Sequence, residues 1–212
     1  MKIALINGSP RIKESASSYI LKDLKSLIDD GQNIISEYHF SNPQVGEKYM
    51  NELIQCDAIV FAFPLYVDGI PSHLLNNLIK LEMFFSLNKE KDIMVYSIVN
   101  CGFYEGHQAK IAIEMMENWC KKSGLKWGQG LGIGAGAMMP FLRNIPAGSG
   151  PKKNIDYAVN QLACNILKSS SSENIFISPN FPGFLYRITA EMSFRRNIKE
   201  NGLKVRDIYT RI

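Results

Sequence analysis

The chain has 212 residues, 46% of them hydrophobic and 21% charged, with a formal net charge of +4. Those proportions suit a globular domain with a full hydrophobic core, and no apolar run approaches the ~20 residues of a bilayer crossing. From Phe181 onward seven basic residues face three acidic ones, which is the whole excess; a neutral body excludes the broad basic face of a nucleic-acid protein.

Met1-Lys2 leads straight into the apolar run Ile3-Ala4-Leu5-Ile6, a strand pattern that leaves no room for a cleavable signal, so a cytoplasmic location is expected. Residues 16 to 29 predict a helix, with Tyr19, Ile20, Leu24, Leu27 and Ile28 on one stripe and Gly31 past its end. Ile34 to Phe40 is a second strand, and residues 47 to 55 form a weaker helix. Residues 57 to 63 are a third strand, stopped by Pro64. Ser72 to Phe85 is helical, with Pro71 at its entrance. Ile93 to Val99 makes a fourth strand, residues 107 to 122 a fourth helix, Lys126 to Ile133 a glycine-rich fifth strand, and Asn154 to Leu167 a fifth helix.

Five strand–helix units in strict alternation predict an α/β fold, a parallel sheet with helices on both faces. Right-handed crossovers leave few topologies, of which the flavodoxin-like five-stranded order 2-1-3-4-5 suits the length. Residues 1–170 are expected to form that domain, with 171–212 as a basic amphipathic helical extension. In such sheets ligands bind beyond the carboxyl ends of the strands, where the strand order reverses. The loops after the first, third and fourth strands are therefore the candidates for function.

The first of these reads Asn7-Gly8-Ser9-Pro10-Arg11, followed by Ser15, Ser17 and Ser18 at the start of a helix. A helix amino terminus carries unpaired N–H groups and about half a positive charge, which attract an anion. No Walker pattern and no G-x-G-x-x-G occurs. What remains is a single phosphate monoester held by Ser9, Ser15, Ser17 and the Arg11 guanidinium; the plainer role of these serines is to cap the helix. The loop after the third strand, from Pro64 through Tyr66 and Asp68-Gly69 to Pro71, offers an aromatic face and free amides to a planar ligand. The loop after the fourth, Asn100-Cys101-Gly102-Phe103-Tyr104, has a flexible backbone that a flat ring can approach closely.

Alternating glycines from Gly128 to Gly136 read as bare packing surface on a strand. His39, His73 and His107 lie on separate elements, with no pair spaced for a metal, and no G-x-S-x-G elbow is present. The four cysteines are scattered without a C-x-x-C pair, as expected of structural thiols, and Cys101 lacks an evident base. A pocket without an acid–base team leaves the chemistry to a cofactor.

The three loops, "NGSPR" with its serines, "FPLYVDGIPSHLLNNLI" and "NCGFYEGHQ", resemble those of the NAD(P)H-dependent FMN reductases of the flavodoxin-like superfamily, over residues 1 to 170. The resemblance implies non-covalent FMN, with Ser9, Arg11, Ser15 and Ser17 on its phosphate. Pro64, Leu65, Tyr66 and Val67 would line the isoalloxazine, and Asn100, Cys101 and Gly102 its other edge. It also implies hydride transfer from NAD(P)H to flavin N5, electron delivery to a small-molecule acceptor such as a quinone, a nitro or azo compound or free flavin, and a homodimer. Ala16 stands where the family often has Asn or Thr, and the compact cysteine cluster of related iron–sulfur flavoproteins is missing. Two other readings stay open: a flavodoxin-type electron carrier, which the neutral body disfavours, and a flavin-binding regulatory module.

In the tail, Phe184, Leu185, Ile188 and Met192 recur at helical spacing among Arg187, Arg195, Arg196 and Lys199, and Gly202 ends the pattern. Such a helix can dock on the body, on a partner subunit or on an anionic membrane surface; docking on protein is the expectation, with weak peripheral membrane contact as the alternative.

Overall fold

The protein is described by a computed structural model covering residues 1–11, 14–88 and 90–209. Six parallel strands form one sheet in the order β2-β1-β3-β4-β5-β6: β1 (Lys2–Asn7), β2 (Ile34–His39), β3 (Ala58–Pro64), β4 (Met94–Asn100), β5 (Lys126–Ile133) and β6 (Ile175–Ile177). Between and after them run α1 (Ala16–Ile28), α2 (Glu47–Leu53), α3 (Ser72–Asn88), α4 (Lys110–Ser123), the short α5 (Met139–Leu142), α6 (Lys153–Leu167) and α7 (Gly183–Glu200). The strand order reverses between β1 and β3, as the sequence implies.

The expected five-stranded sheet is one strand short. β6 pairs in parallel with β5, Leu131 opposite Ile175 and Ile133 opposite Ile177, and it comes from the segment that reads as extension. Only three residues long and half-buried, it sits between a serine run and Pro179. A run that short has no measurable period, so it reads as loop.

Successive residues of β1, β3 and β4 are buried on opposite faces, which explains their unbroken apolar runs. Ile6, Ile59, Phe61, Phe63 and Val95 join one cluster with Leu74, Leu78, Trp119 and Cys120 from α3 and α4. Ile3, Leu5, Val60, Tyr96 and Ile98 join the other with Leu24, Ile28, Leu162 and Ile166 from α1 and α6. The polar atoms of these cores are largely accommodated: Trp119 donates its indole N–H to the Leu78 carbonyl at 2.8 Å. The Tyr96 hydroxyl lies 2.9 and 3.0 Å from the Asn165 and Ser170 carbonyls.

The glycines of β5 serve close packing, as their alternation suggests. A Cβ on Gly130 would lie 2.4 Å from an Ile113 methyl, and one on Gly132 2.7 Å from the Gly106 carbonyl. α4 and the 3₁₀ turn before it therefore press onto β5 where no side chain fits.

α7 is different. Tyr186 is its one buried residue, while Phe184, Ile188, Met192 and Phe194 are exposed. Among the described residues no helix is long and apolar enough to cross a membrane.

Candidate functional site

The carboxyl edge of the sheet is continued by hydrogen bonds beyond the strands themselves. Gly8 N–H donates to the Ala62 carbonyl at 2.8 Å, Leu65 N–H to Asn100 at 2.8 Å, and Cys101 N–H to Ile133 at 2.9 Å. The loops after β1, β3 and β4 thus leave the sheet side by side.

Gly8 is required by this closeness. A Cβ there would lie 2.6 Å from Leu74 Cδ2 and 3.2 Å from Phe63 Cβ. The turn that follows is built from its own side chains: Ser9 N–H donates to Asn7 Oδ1 at 3.0 Å and Arg11 N–H to Ser9 Oγ at 3.3 Å. Ser15 is the N-cap of α1 and forms a reciprocal capping box with Ser18.

All three serines assigned to a phosphate are buried, and each oxygen accepts one hydrogen bond inside the protein. Ser9 takes the Arg11 amide, Ser15 the Ser18 amide at 3.1 Å, and Ser17 the Asn100 side-chain amide at 2.8 Å. None of the three hydroxyl hydrogens has an acceptor among the described residues, nor do the amides of Ala16 and Ser17 at the helix start. A hydroxyl that accepts within the protein keeps its proton for something else. These hydroxyls and amides are the donors a phosphate monoester needs, and the exposed Arg11 stands in the same loop, so the residues fit that part of FMN. Glu14, the nearby carboxylate, is paired with Arg143 at 3.4 Å.

Asn100 is a junction and not a free ligand group: its side-chain amide donates to Ser17 Oγ and to the Phe63 carbonyl at 3.1 Å. It ties the end of β4 to both the first and third strand ends.

After β3, Tyr66 and Gly69 exchange two backbone bonds of 3.1 and 3.0 Å around Val67 and Asp68. Both central residues have positive φ, 48° and 59°, the geometry of a type I′ turn. A β-branched residue there is strained, and Val67 is also fully exposed. The amides of Val67 and Asp68 have no partner among the described residues, so the tip of this loop offers donors beside the half-exposed Tyr66 ring. Pro64 and Leu65 are half-buried at its base.

After β4, Cys101 is buried with its polar groups engaged. Its carbonyl accepts from Gly136 N–H at 2.6 Å, and its thiol faces the Phe103 and Glu105 carbonyls at 3.7 and 3.6 Å. Burial pushes the thiol pKa up, and His107, its neighbour in sequence, stacks edge-on against Phe176 at 5.1 Å. No thiolate nucleophile is assembled here. Gly102 is exposed and its carbonyl accepts from the Tyr186 hydroxyl of α7 at 2.5 Å. The tail helix therefore roots beside the site, a contact no local pattern announces.

Two residues that read as isolated in the sequence meet at the first loop. His39 Nε2 lies 2.9 Å from the Ser9 carbonyl and His73 Nε2 3.0 Å from the Gly8 carbonyl. The one available signal is position, since His39 ends a strand and His73 begins a helix at the functional edge of the sheet.

A separate cleft of about 200 Å³ between α1, α5 and α6 contains none of these residues. Two of its three cations are paired within the protein: Lys152 with Asp23 at 3.0 Å and Asp156 at 3.6 Å, and Arg143 with Glu14. Among the described residues no group of three His, Cys, Asp or Glu is placed to hold a metal ion.

No family model matches the sequence, and no curated protein matches it. Solved structures do. An NADH:FMN oxidoreductase in its apo form superimposes with a TM-score of 0.60 at 12% identity, over 81% of this chain and 91% of that one. An NAD(P)H:quinone oxidoreductase from Methanothermobacter marburgensis gives 0.59 at 11% identity, over 78% and 96%. A WrbA-like flavodoxin from Agrobacterium tumefaciens gives 0.55 at 9% identity, over 80% and 99%. At such identities the likeness shows the fold: it is flavodoxin-like.

Proposed function

We propose that the chain is an FMN-dependent NAD(P)H oxidoreductase. The observation that carries this reading is the cradle at the reversal of strand order, where three buried serine hydroxyls and two helix amides present hydrogens with no acceptor among the described residues. Such a set binds an anion and resists a cation. The neighbours named for NAD(P)H:quinone and NADH:FMN chemistry support the same reading.

In this proposal Ser9, Ser15, Ser17 and Arg11 hold the ribityl phosphate. Pro64, Leu65, Tyr66 and Val67 line one edge of the isoalloxazine, with the Val67 and Asp68 amides free to bond its polar rim. Gly102 lets the backbone approach the other edge, and Asn100 and Cys101 fix the position of that loop through their own hydrogen bonds. Tyr66 and Phe103, both exposed, supply aromatic cover that excludes water. Bound there, FMN would supply the redox chemistry between NAD(P)H as hydride donor and a small acceptor such as a quinone, a nitro or azo compound or free flavin. The working form in this reading is a cytoplasmic homodimer. Weak membrane contact through α7 is its peripheral alternative, removed if the full chain fails to co-sediment with anionic vesicles.

The purified protein is expected to be yellow and to release FMN on denaturation. Rapid bleaching of the flavin band by NADH or NADPH alone supports the enzyme. Bleaching only when a separate reductase is added favours an electron carrier, and a colourless preparation that takes up no added FMN overturns the proposal.

A further inference from the structure

His39 ends β2 and His73 is the second residue of α3. Their elements flank β1 from opposite sides, since β2 pairs with one edge of β1 and α3 follows the strand on the other. The two imidazoles nonetheless reach consecutive carbonyls of one loop: His73 the Gly8 oxygen, at 3.0 Å and 65 residues away in sequence, and His39 the Ser9 oxygen, at 2.9 Å and 30 residues away. A carbonyl can only accept, so both rings carry their hydrogen on Nε2.

We propose that His39 and His73 are positioning residues for the phosphate cradle, an inference that rests on the FMN reading and deepens it. A phosphate is repelled by carbonyl oxygens and attracted by amides and hydroxyls. Each ring N–H occupies a lone pair of one carbonyl, so the Gly8 and Ser9 acceptors are engaged within the protein, while the hydroxyl hydrogens of Ser9, Ser15 and Ser17 have no acceptor among the described residues. The peptide unit between Gly8 and Ser9 is held at both ends, by His73 on its oxygen and by Asn7 Oδ1 on its N–H. A loop held in this way loses less conformational freedom when the ligand arrives, and that saving appears as affinity. Neither ring belongs to the core clusters; His39 is exposed and His73 half-buried.

The test titrates apoproteins with FMN and with riboflavin, which lacks the phosphate, following flavin fluorescence. His39→Ala and His73→Ala are each expected to weaken FMN binding about tenfold and leave riboflavin binding unchanged. His39→Gln and His73→Gln, whose side-chain amides can donate to the same carbonyls, are expected to restore FMN affinity to within about threefold of the wild type. Parallel loss of both ligands in the alanine variants, or no loss of either, overturns the inference while leaving the FMN reading intact. A wild type that binds neither flavin overturns both. His39 is exposed, so its alanine variant stays folded and decides alone if His73→Ala does not fold.

Discussion

The loop after β1 and the helix α7 invert the usual relation between regularity and order. The described part of the loop has no repeating structure, yet side chains or backbone from β1, β2, β3, α1 and α3 hold it, through Asn7, His39, Ala62, Ser18 and His73. α7 is an 18-residue helix that satisfies its own backbone, yet Tyr186 is its one buried residue, bonded to Gly102 and tilted against Tyr104 at 5.9 Å. Hydrogen bonds within a helix need no neighbours, so helicity says nothing about attachment. A functional loop needs attachment because its polar groups must be aimed.

That contrast can be broken at its weakest point first. Tyr186→Ala removes the anchor of α7, a large-to-small change of about 3 kcal/mol. Limited proteolysis is expected to cut α7 on the order of a hundred times faster while the sheet stays protected; unchanged cleavage would mean that other contacts hold the helix. Gly8→Val strikes the opposite region. Its side chain meets Leu74 and Phe63, so a loss of about 2 kcal/mol in denaturant unfolding is expected, together with FMN binding too weak to survive gel filtration. Arg11→Ala removes the charge at an exposed position without adding bulk. FMN affinity should fall about tenfold with the unfolding midpoint unmoved, and unaltered affinity would contradict the phosphate role. Ile188→Glu sharpens the comparison from the quiet side. The residue is exposed, so the change in stability should stay within about 0.5 kcal/mol, and a larger loss in sedimentation-checked dimer would show that a second copy covers this face.

Much of the fold was legible because its signals are local. The apolar run at residues 3–6 reads as a strand buried on both faces and is found so, residues 57–63 read as a strand and β3 occupies Ala58–Pro64, and the stripe on residues 16–29 predicts α1 almost to its ends. α5 and β6 were not legible, at four and three residues too short to show a period. The first loop was legible in composition: hydroxyls, a glycine and one arginine at a strand–helix seam. Its bonding was not. That Ser17 accepts from Asn100, 83 positions along the chain, and that the Tyr186 hydroxyl reaches Gly102, has no counterpart in spacing or periodicity.

The sequence by itself determined the alternation of strand and helix, the parallel sheet that follows from it and the edge at which a ligand can sit, because each depends on side-chain patterns repeating every two or 3.6 residues. The tertiary structure alone decided which hydroxyls keep a hydrogen without an acceptor among the described residues, which histidines meet at the first loop, and that the tail adds a sixth strand before leaving as an almost unburied helix. Those outcomes depend on which distant atoms come within about 3 Å of one another, a distance that packing sets and a local pattern cannot encode.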